Sequence, residues 1–250
     1  MSQPYFDSDL DQPEQVLDCF RSFQFITESP KWMMNVLCVS ICQMIPLIGP
    51  LAVLGYQFEL AESLLRRPDD HGYLDFDFNK FVDYMKRGLW PFLTALIAGI
   101  VIGIPIVAIV LGLIFGGAMI AQANRDAGDA IAIAMMCSMV VLYVVLLIGA
   151  NMLMIPLMIR AGYCQDLGEA LNFQFVKSFV QLMWKEIIIT NLFLMIASIP
   201  LMLIGLLMCF VGIYLMVGVI MLAQAHLIDY QLYAIYLSRG GEPIPPKTVV

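Results

Sequence analysis

Long uncharged stretches alternate with short polar ones along this chain. Asp, Glu, Lys and Arg are absent from four windows, residues 32–58, 88–124, 130–159 and 187–228. About 20 apolar residues suffice for a helix to cross a bilayer, so each window can hold a membrane-spanning helix. The pattern predicts an all-α integral membrane protein.

The number of spans follows from window length and charge. Apolar character from residue 187 to Tyr236 would give a helix of about 75 Å, more than twice the hydrocarbon thickness, so we expect two spans with a turn at 205–212. Window 88–124 fits one span kinked at Pro105 or two short spans. One span places ten of the thirteen basic residues on one side, which the positive-inside rule makes cytoplasmic. We therefore expect about five spans, a cell-membrane location and a cytoplasmic C-terminus.

The first window is interrupted by Pro46 and Pro50. Each proline removes a backbone donor and clashes with the preceding helical turn. The segment either crosses the membrane with a kink or dips in and returns to the cytoplasm. Arg21 and Lys31 before it favour the return. The internal repeat favours crossing, which is the interpretation we prefer.

That repeat consists of "IPLIGPLAVLGYQFELAESL" at 45–64 and "IPLMIRAGYCQDLGEAL" at 155–171. Both copies read Ile-Pro-Leu, then Gly-Tyr, then two acids. An amphipathic stretch with an aromatic face and a basic face follows each copy, at 78–89 and 175–185, and is typical of helices in the membrane interface. Two spans separate the copies, so the predicted repeat is parallel.

These elements divide the chain into an N-terminal segment, a membrane domain and a tail. The expected regions are an acidic segment 1–30, a helical membrane domain 31–238 and a flexible tail 239–250; within the domain, repeat 1 covers about 31–122, repeat 2 about 130–208 and an extra span about 211–237.

Four motifs in order resemble a known family. They are "PKWMMNVLCVSICQMIPLIGPLAVLGY", "FDFNKFVDYMKRGLWPF", "IPLMIRAGYCQDLGEALNFQFVKSF" and "AQAHLIDYQLY", within residues 30–236. Their order resembles the multi-pass membrane family called domain of unknown function 4013, and more distantly the membrane domain attached to some glycerophosphodiester phosphodiesterases. Neither resemblance implies an established activity or catalytic residues. The chain departs from the pattern in "AHLIDYQ", where Asp229 or Tyr230 replaces an expected glycine.

Composition narrows the function further. Residues of the AVILMFWYC set make up 61% and charged residues 13% of the chain, against about 45–50% and about 25% in soluble domains. A net charge of −7 argues against nucleic acid or an anionic lipid surface as a bulk electrostatic partner. The apolar spans make membrane lipids the expected partner. Phosphate-loop, nucleophile-elbow and metal-binding motifs are missing, so we expect no cofactor and no enzyme activity.

Polar residues near or inside the spans are the candidate site. The repeated acids are expected to lie on one helix face in each copy and to pair with basic residues, tying each span to its interfacial helix. In the last span, His226 and Asp229 are three residues apart and are expected to share a face. The candidate polar or structural site comprises Tyr56, Glu59, Glu62, Tyr163, Asp166, Glu169, His226 and Asp229.

Small residues recur at four-residue spacing in the second span. Such a stripe lets helix backbones approach closely. Packing inside the bundle is the favoured interpretation, and a homo-oligomer or protein-partner face is the alternative. The stripe consists of Ala95, Gly99, Gly103, Gly112 and Gly116.

The resulting hypothesis is a non-enzymatic membrane scaffold, assembly partner or lipid-organising protein. The alternative is a small transporter or channel, in which the polar residues inside the membrane form the pathway.

Overall fold

The computed structural model describes residues 16–66, 73–123, 128–208 and 211–244, and these residues form helices joined by turns and short extended segments. A 3₁₀ turn precedes the fourth helix, and a π-helical segment lies between the last two. The elements are α1 (Arg21–Glu28), α2 (Trp32–Gln43), α3 (Ile48–Arg66), the 3₁₀ turn (Phe78–Lys80), α4 (Phe81–Ala123), α5 (Gly128–Cys164), α6 (Leu167–Ala170), α7 (Phe173–Leu207), α8 (Val211–Gln224), the π-helix (Ala225–Leu232) and α9 (Tyr233–Ser238).

Four helical segments of the described chain are long and apolar enough to cross a membrane, judged by length and composition. They are Phe78–Ile120, Ile133–Cys164, Phe173–Leu207 and Val211–Ser238. A fifth apolar helix, Trp32–Gln43, is shorter. The prediction of an all-α membrane protein is confirmed.

Two of the four uncharged windows form the helices that the sequence predicted for them. Residues 88–123 of the second window lie in the single helix α4, which contains both Pro91 and Pro105. The long last window is divided between α7 and α8, as predicted. Their junction is tight, since a Cβ at Gly212 would lie 2.7 Å from the carbonyl oxygen of Gly205.

The first window differs from the preferred interpretation. It forms two helices, α2 and α3, with Leu47 in the left-handed region (φ 66°) between them. Asn35 near the start of α2 and Tyr56 in the middle of α3 both bind the segment 73–76. The two helices therefore form an antiparallel hairpin, and this segment returns to the end at which it began. The prolines suit the reversal because Pro46 lies in the turn and Pro50 lies in the first turn of α3, where a missing amide hydrogen leaves no helical hydrogen bond unmade.

The predicted interfacial helices are also different, because they are continuous with the spans. Stretch 78–89 leads into α4 and stretch 175–185 is the first part of α7. The aromatic face of the second stretch packs inside the protein, with Phe175 and Phe179 buried and the ring of Tyr236 4.7 Å from that of Phe179. In the first stretch Tyr84 is buried, whereas Phe78 and Leu89 on the predicted apolar face are exposed.

The packed core lies at one end of the bundle, which we call the charged end because it holds the ion pairs Lys31–Asp75, Arg87–Glu62 and Arg239–Glu186. One cluster surrounds Tyr56 and the other surrounds Tyr236. Away from this end, the apolar windows of α4 and α5 contain almost no buried residues. The charged end is therefore a conventional protein core, and the spans project from it.

Both termini of the described chain pack at the charged end. The amide of Asp18 donates to Oε1 of Gln231, and Nε2 of Gln231 donates to the Asp18 carbonyl, each at 3.0 Å. Ile244 is buried and its amide donates to the Tyr233 hydroxyl at 2.8 Å. Ile244 therefore anchors the end of the described chain, while Arg239, Gly240, Glu242 and Pro243 are exposed. The rest of the two terminal regions, 1–15 and 245–250, lies outside the described residues.

Candidate functional site

The first Gly-Tyr motif joins α3 to α4. Tyr56 is fully buried, and its hydroxyl donates to the Leu74 carbonyl at 2.7 Å. A Cβ at Gly55 would collide with the carbonyl oxygen of Tyr84, so only glycine permits this approach of the two backbones. The motif therefore fixes the crossing of these helices.

The acids of the first copy pair with basic residues of the following helix. Glu59 binds Lys80 at 3.1 Å. Glu62 binds both Arg66, one turn along α3, and Arg87 of α4. The Glu62 and Arg87 side chains are 16% and 14% exposed, so this pair is better shielded from water than the Glu59 pair. Shielded pairs are more costly to break, because removing one partner leaves a poorly solvated charge.

The second Gly-Tyr motif makes similar contacts with different elements. The hydroxyl of Tyr163 donates to the Asp229 carbonyl at 2.9 Å. A Cβ at Gly162 would collide with the ring of Phe58. The second motif therefore joins α5 to α3 and to the π-helix.

The acids of the second copy do not share a helix face, contrary to expectation. Helix α5 ends at Cys164, and Gln165 has a φ of 51°. This left-handed residue directs the chain out of the helix, so Asp166 caps α6 by accepting from the amides of Gly168 and Glu169. The Glu169 side chain is exposed. The backbone carbonyl of Glu169 accepts a hydrogen bond from Nε of Arg160 at 2.6 Å.

Four polar residues from both copies and the last span meet at the charged end. We call Glu62, Arg87, Tyr163 and Asp229 the inner polar cluster. Arg87 is paired with Glu62, and Tyr163 is bonded to the Asp229 backbone. Asp229 is 7% exposed. Its carboxylate accepts no hydrogen bond and forms no ion pair among the described residues.

His226 and Asp229 are not bonded to each other. Nδ1 of His226 lies 3.4 Å from the Ser22 hydroxyl and 3.2 Å from Nε2 of Gln231, and its ring stacks on Phe25 at 4.4 Å. The expectation assumed α-helical spacing, but residues 225–232 are π-helical, and a π-helix bonds residues five apart. His226 thereby ties the last span to the N-terminal helix α1.

A second polar network was missed by sequence reasoning. Asp75 accepts from Nδ2 of Asn35 at 2.9 Å and from the Ser29 hydroxyl at 2.8 Å, and it pairs with Lys31. Burial raises the pKa of Asp75, but these hydrogen bonds and the Lys31 charge lower it by more, so the net pKa is below the ordinary 3.8. The available signal was Asn35, one of three side-chain amides in an otherwise apolar window.

The small-residue stripe of α4 is not packed against this chain. A Cβ at Gly99, Gly103, Gly112 or Gly116 would find nothing within 4 Å among the described residues. Ala95 is half-buried. Contact with α5 involves Gly117 instead, where a Cβ would collide with Met135. The favoured interpretation, packing of these glycines inside the bundle, is not what the described chain shows.

The fold and these sites define a multi-pass α-helical membrane protein whose polar residues gather at one end. The family described as "Protein of unknown function (DUF4013)" matches residues 38–210, and the chain belongs to this family. No curated protein and no solved structure matches the chain. The more distant resemblance to a phosphodiesterase membrane domain is therefore without support.

Proposed function

We propose that the protein is a non-enzymatic, multi-pass protein of the cell membrane that acts as a scaffold, assembly partner or lipid-organising protein. The main support for this proposal is that the packed core and the uncovered apolar surface lie in different parts of the protein. The two largest packed clusters lie at the charged end, while the apolar windows of α4 and α5 have almost no buried residues. Apolar surface of this extent needs lipid chains or partner helices to cover it.

The proposed orientation places the charged end and the C-terminus in the cytoplasm. The basic residues that follow α3, α5 and α9 in the sequence support it, because short cytoplasmic loops carry an excess of Lys and Arg. A reporter active only in the cytoplasm, fused after Val250, should be active. Activity of a reporter for the opposite compartment at this position would overturn the orientation.

The scaffold function is tested by isolating the protein in membrane particles that retain native lipids. A lipid species or a protein recovered in fixed stoichiometry is the expected result. An unrelated multi-pass protein from the same membrane provides the background. Recovery of bulk lipid alone, with no protein above this background, would contradict the proposal.

A small transporter or channel is the second candidate, and Asp229 favours it. A carboxylate that is buried and unpartnered in the described chain is costly, and ionisable groups inside membranes often mark a pathway. Proteoliposomes offered protons or monovalent cations would show flux that Asp229→Asn abolishes. Asp83→Asn is the matched control, because the Asp83 side chain is 70% exposed. Flux lost only in Asp229→Asn would replace the scaffold proposal.

A further inference from the structure

We infer that the α2–α3 hairpin is a re-entrant element that contacts the acyl chains of one membrane leaflet only, so that the chain crosses the bilayer four times. The hairpin's two limbs are bound at their base by one short segment. Asn35 of α2 accepts from the Phe76 amide at 2.9 Å, and Tyr56 of α3 donates to the Leu74 carbonyl at 2.7 Å. Both limbs therefore begin and end at the charged end.

The hairpin is too short to reach the opposite leaflet. Eight residues separate Asn35 from the end of α2 at Gln43, a rise of about 12 Å. The hydrocarbon core is about 30 Å thick, so its midplane lies about 15 Å from either surface. The last span, by contrast, extends fifteen residues from His226, near the same base, to Val211, a rise of about 22 Å.

One face of α2 and the hairpin tip are apolar and exposed. The other face of α2 packs on the last span, where a Cβ at Gly218 would lie 3.0 Å from the Val36 carbonyl oxygen. The exposed stripe thus lies beside the apolar surface of α8, which is the first part of the membrane span Val211–Ser238. Lipid chains are the partner that fits both the exposed stripe of α2 and the apolar surface of α8. The exposed residues are Met33, Met34, Leu37, Ile41, Met44, Ile45, Leu47 and Ile48.

The tip is also suited to lipid because four of its backbone amides bond internally. The amides of Met44 and Ile45 donate to carbonyls of α2, and those of Ile48 and Gly49 donate to Pro46 and Ile45, at 2.8–3.0 Å. Pro46 has no amide hydrogen. Backbone donors without partners would oppose insertion of a turn into hydrocarbon.

Charge distribution in the sequence gives independent support. A crossing segment would leave Arg21, Lys31 and Arg125 opposite the other ten basic residues. A re-entrant segment moves Arg21 and Lys31 to the charged end, so twelve of the thirteen lie on one side. The positive-inside bias is therefore stronger with four spans than with five.

Epitope tags at the two ends of the full chain test the inference. Both tags should lie on the same side of the membrane. An antibody should therefore reach both tags or neither in intact cells, and both in permeabilised cells. Tags on opposite sides would overturn the re-entrant hairpin. The side itself rests on the proposed function: two tags exposed outside the cell would reverse the orientation while leaving the hairpin intact.

Cysteine labelling tests the hairpin locally, in a cysteine-free background shown by gel filtration to be monodisperse. Thr27→Cys before the hairpin and Asn79→Cys after it are both exposed positions. A membrane-impermeant maleimide should label both from the same face, and should label Asp126→Cys, between α4 and α5, from the other. Labelling of Thr27→Cys together with Asp126→Cys would show that the segment crosses. If the cysteine-free chain aggregates, the tag experiment decides alone.

Discussion

The side chain of Tyr163 ends on the backbone of Asp229, with 2.9 Å between the hydroxyl oxygen and the carbonyl oxygen. This hydrogen bond links the second repeat motif to the π-helix of the last span. The two residues are 66 positions apart, and the ring of Tyr163 also stacks on that of Tyr233 at 4.7 Å. The motif tyrosine therefore holds the last span against α5.

Tyr163→Phe is expected to destabilise the protein. It keeps the ring contacts but removes the buried hydroxyl, which costs about 0.5–1.5 kcal/mol for a typical hydrogen bond. Thermal unfolding in detergent measures the effect. Tyr143→Phe is the control, because Tyr143 is exposed. Equal melting of the two variants would show that the bond contributes nothing.

The two repeated glutamates are expected to differ in their contribution to stability. Glu62→Gln weakens pairs with Arg66 and Arg87 at a shielded position and should cost about 1–3 kcal/mol. Glu169→Gln changes an exposed side chain and should stay within about 0.5 kcal/mol of the parent. The sequence alone predicted similar losses, because the motif copies look alike.

Thermal melts of both single variants and the double variant check this difference. The effects should add, because the described partners of Glu62 are not those of Glu169. Equal losses would restore the symmetric interpretation. Strong non-additivity would place both acids at one ligand.

The sequence predicted what depends on composition and missed what depends on local backbone geometry. The distribution of basic residues places α4 in one helix, and hydropathy divides α7 from α8 because a bilayer fixes the length of a span. It does not distinguish a crossing segment from a hairpin of equal apolarity. The left-handed Gln165 and the π-helix at His226 change which side chains meet, and neither leaves a hydropathy signal.

The Asp75 network predicts a loss of stability at low pH. The pKa of Asp75 is lowered in the folded protein, so the folded state favours the ionised carboxylate. Its stabilisation is complete above the unfolded pKa and is lost as pH falls through the lower, folded value. The melting temperature should therefore drop below about pH 4.

Asp75→Asn tests this prediction. The variant should be less stable than the parent at neutral pH, and its melting temperature should fall less between pH 5 and pH 3, a range of about one pH unit on either side of an ordinary carboxyl pKa. Asp83→Asn is the control, since Asp83 is largely exposed. An identical pH profile in Asp75→Asn and the parent would assign the acid sensitivity to other carboxylates.

The glycine stripe of α4 gives the last prediction, which concerns a second copy of the chain. Nothing in the described chain lies within 4 Å of a Cβ at Gly99 or Gly103, so leucine fits there without a clash. Leucine is also a better helix former than glycine by up to about 1 kcal/mol, so the folded chain should be at least as stable.

A helix from a second copy would need the groove along the glycine stripe, and a leucine side chain would exclude that helix. Gly103→Leu should therefore lower the dimer fraction, measured by subunit counting in nanodiscs, while Val101→Leu at an exposed position should not. A dimer fraction unchanged by Gly99→Leu and Gly103→Leu would show that the stripe faces lipid, and unfolding of either variant would show that the bundle packs against it after all.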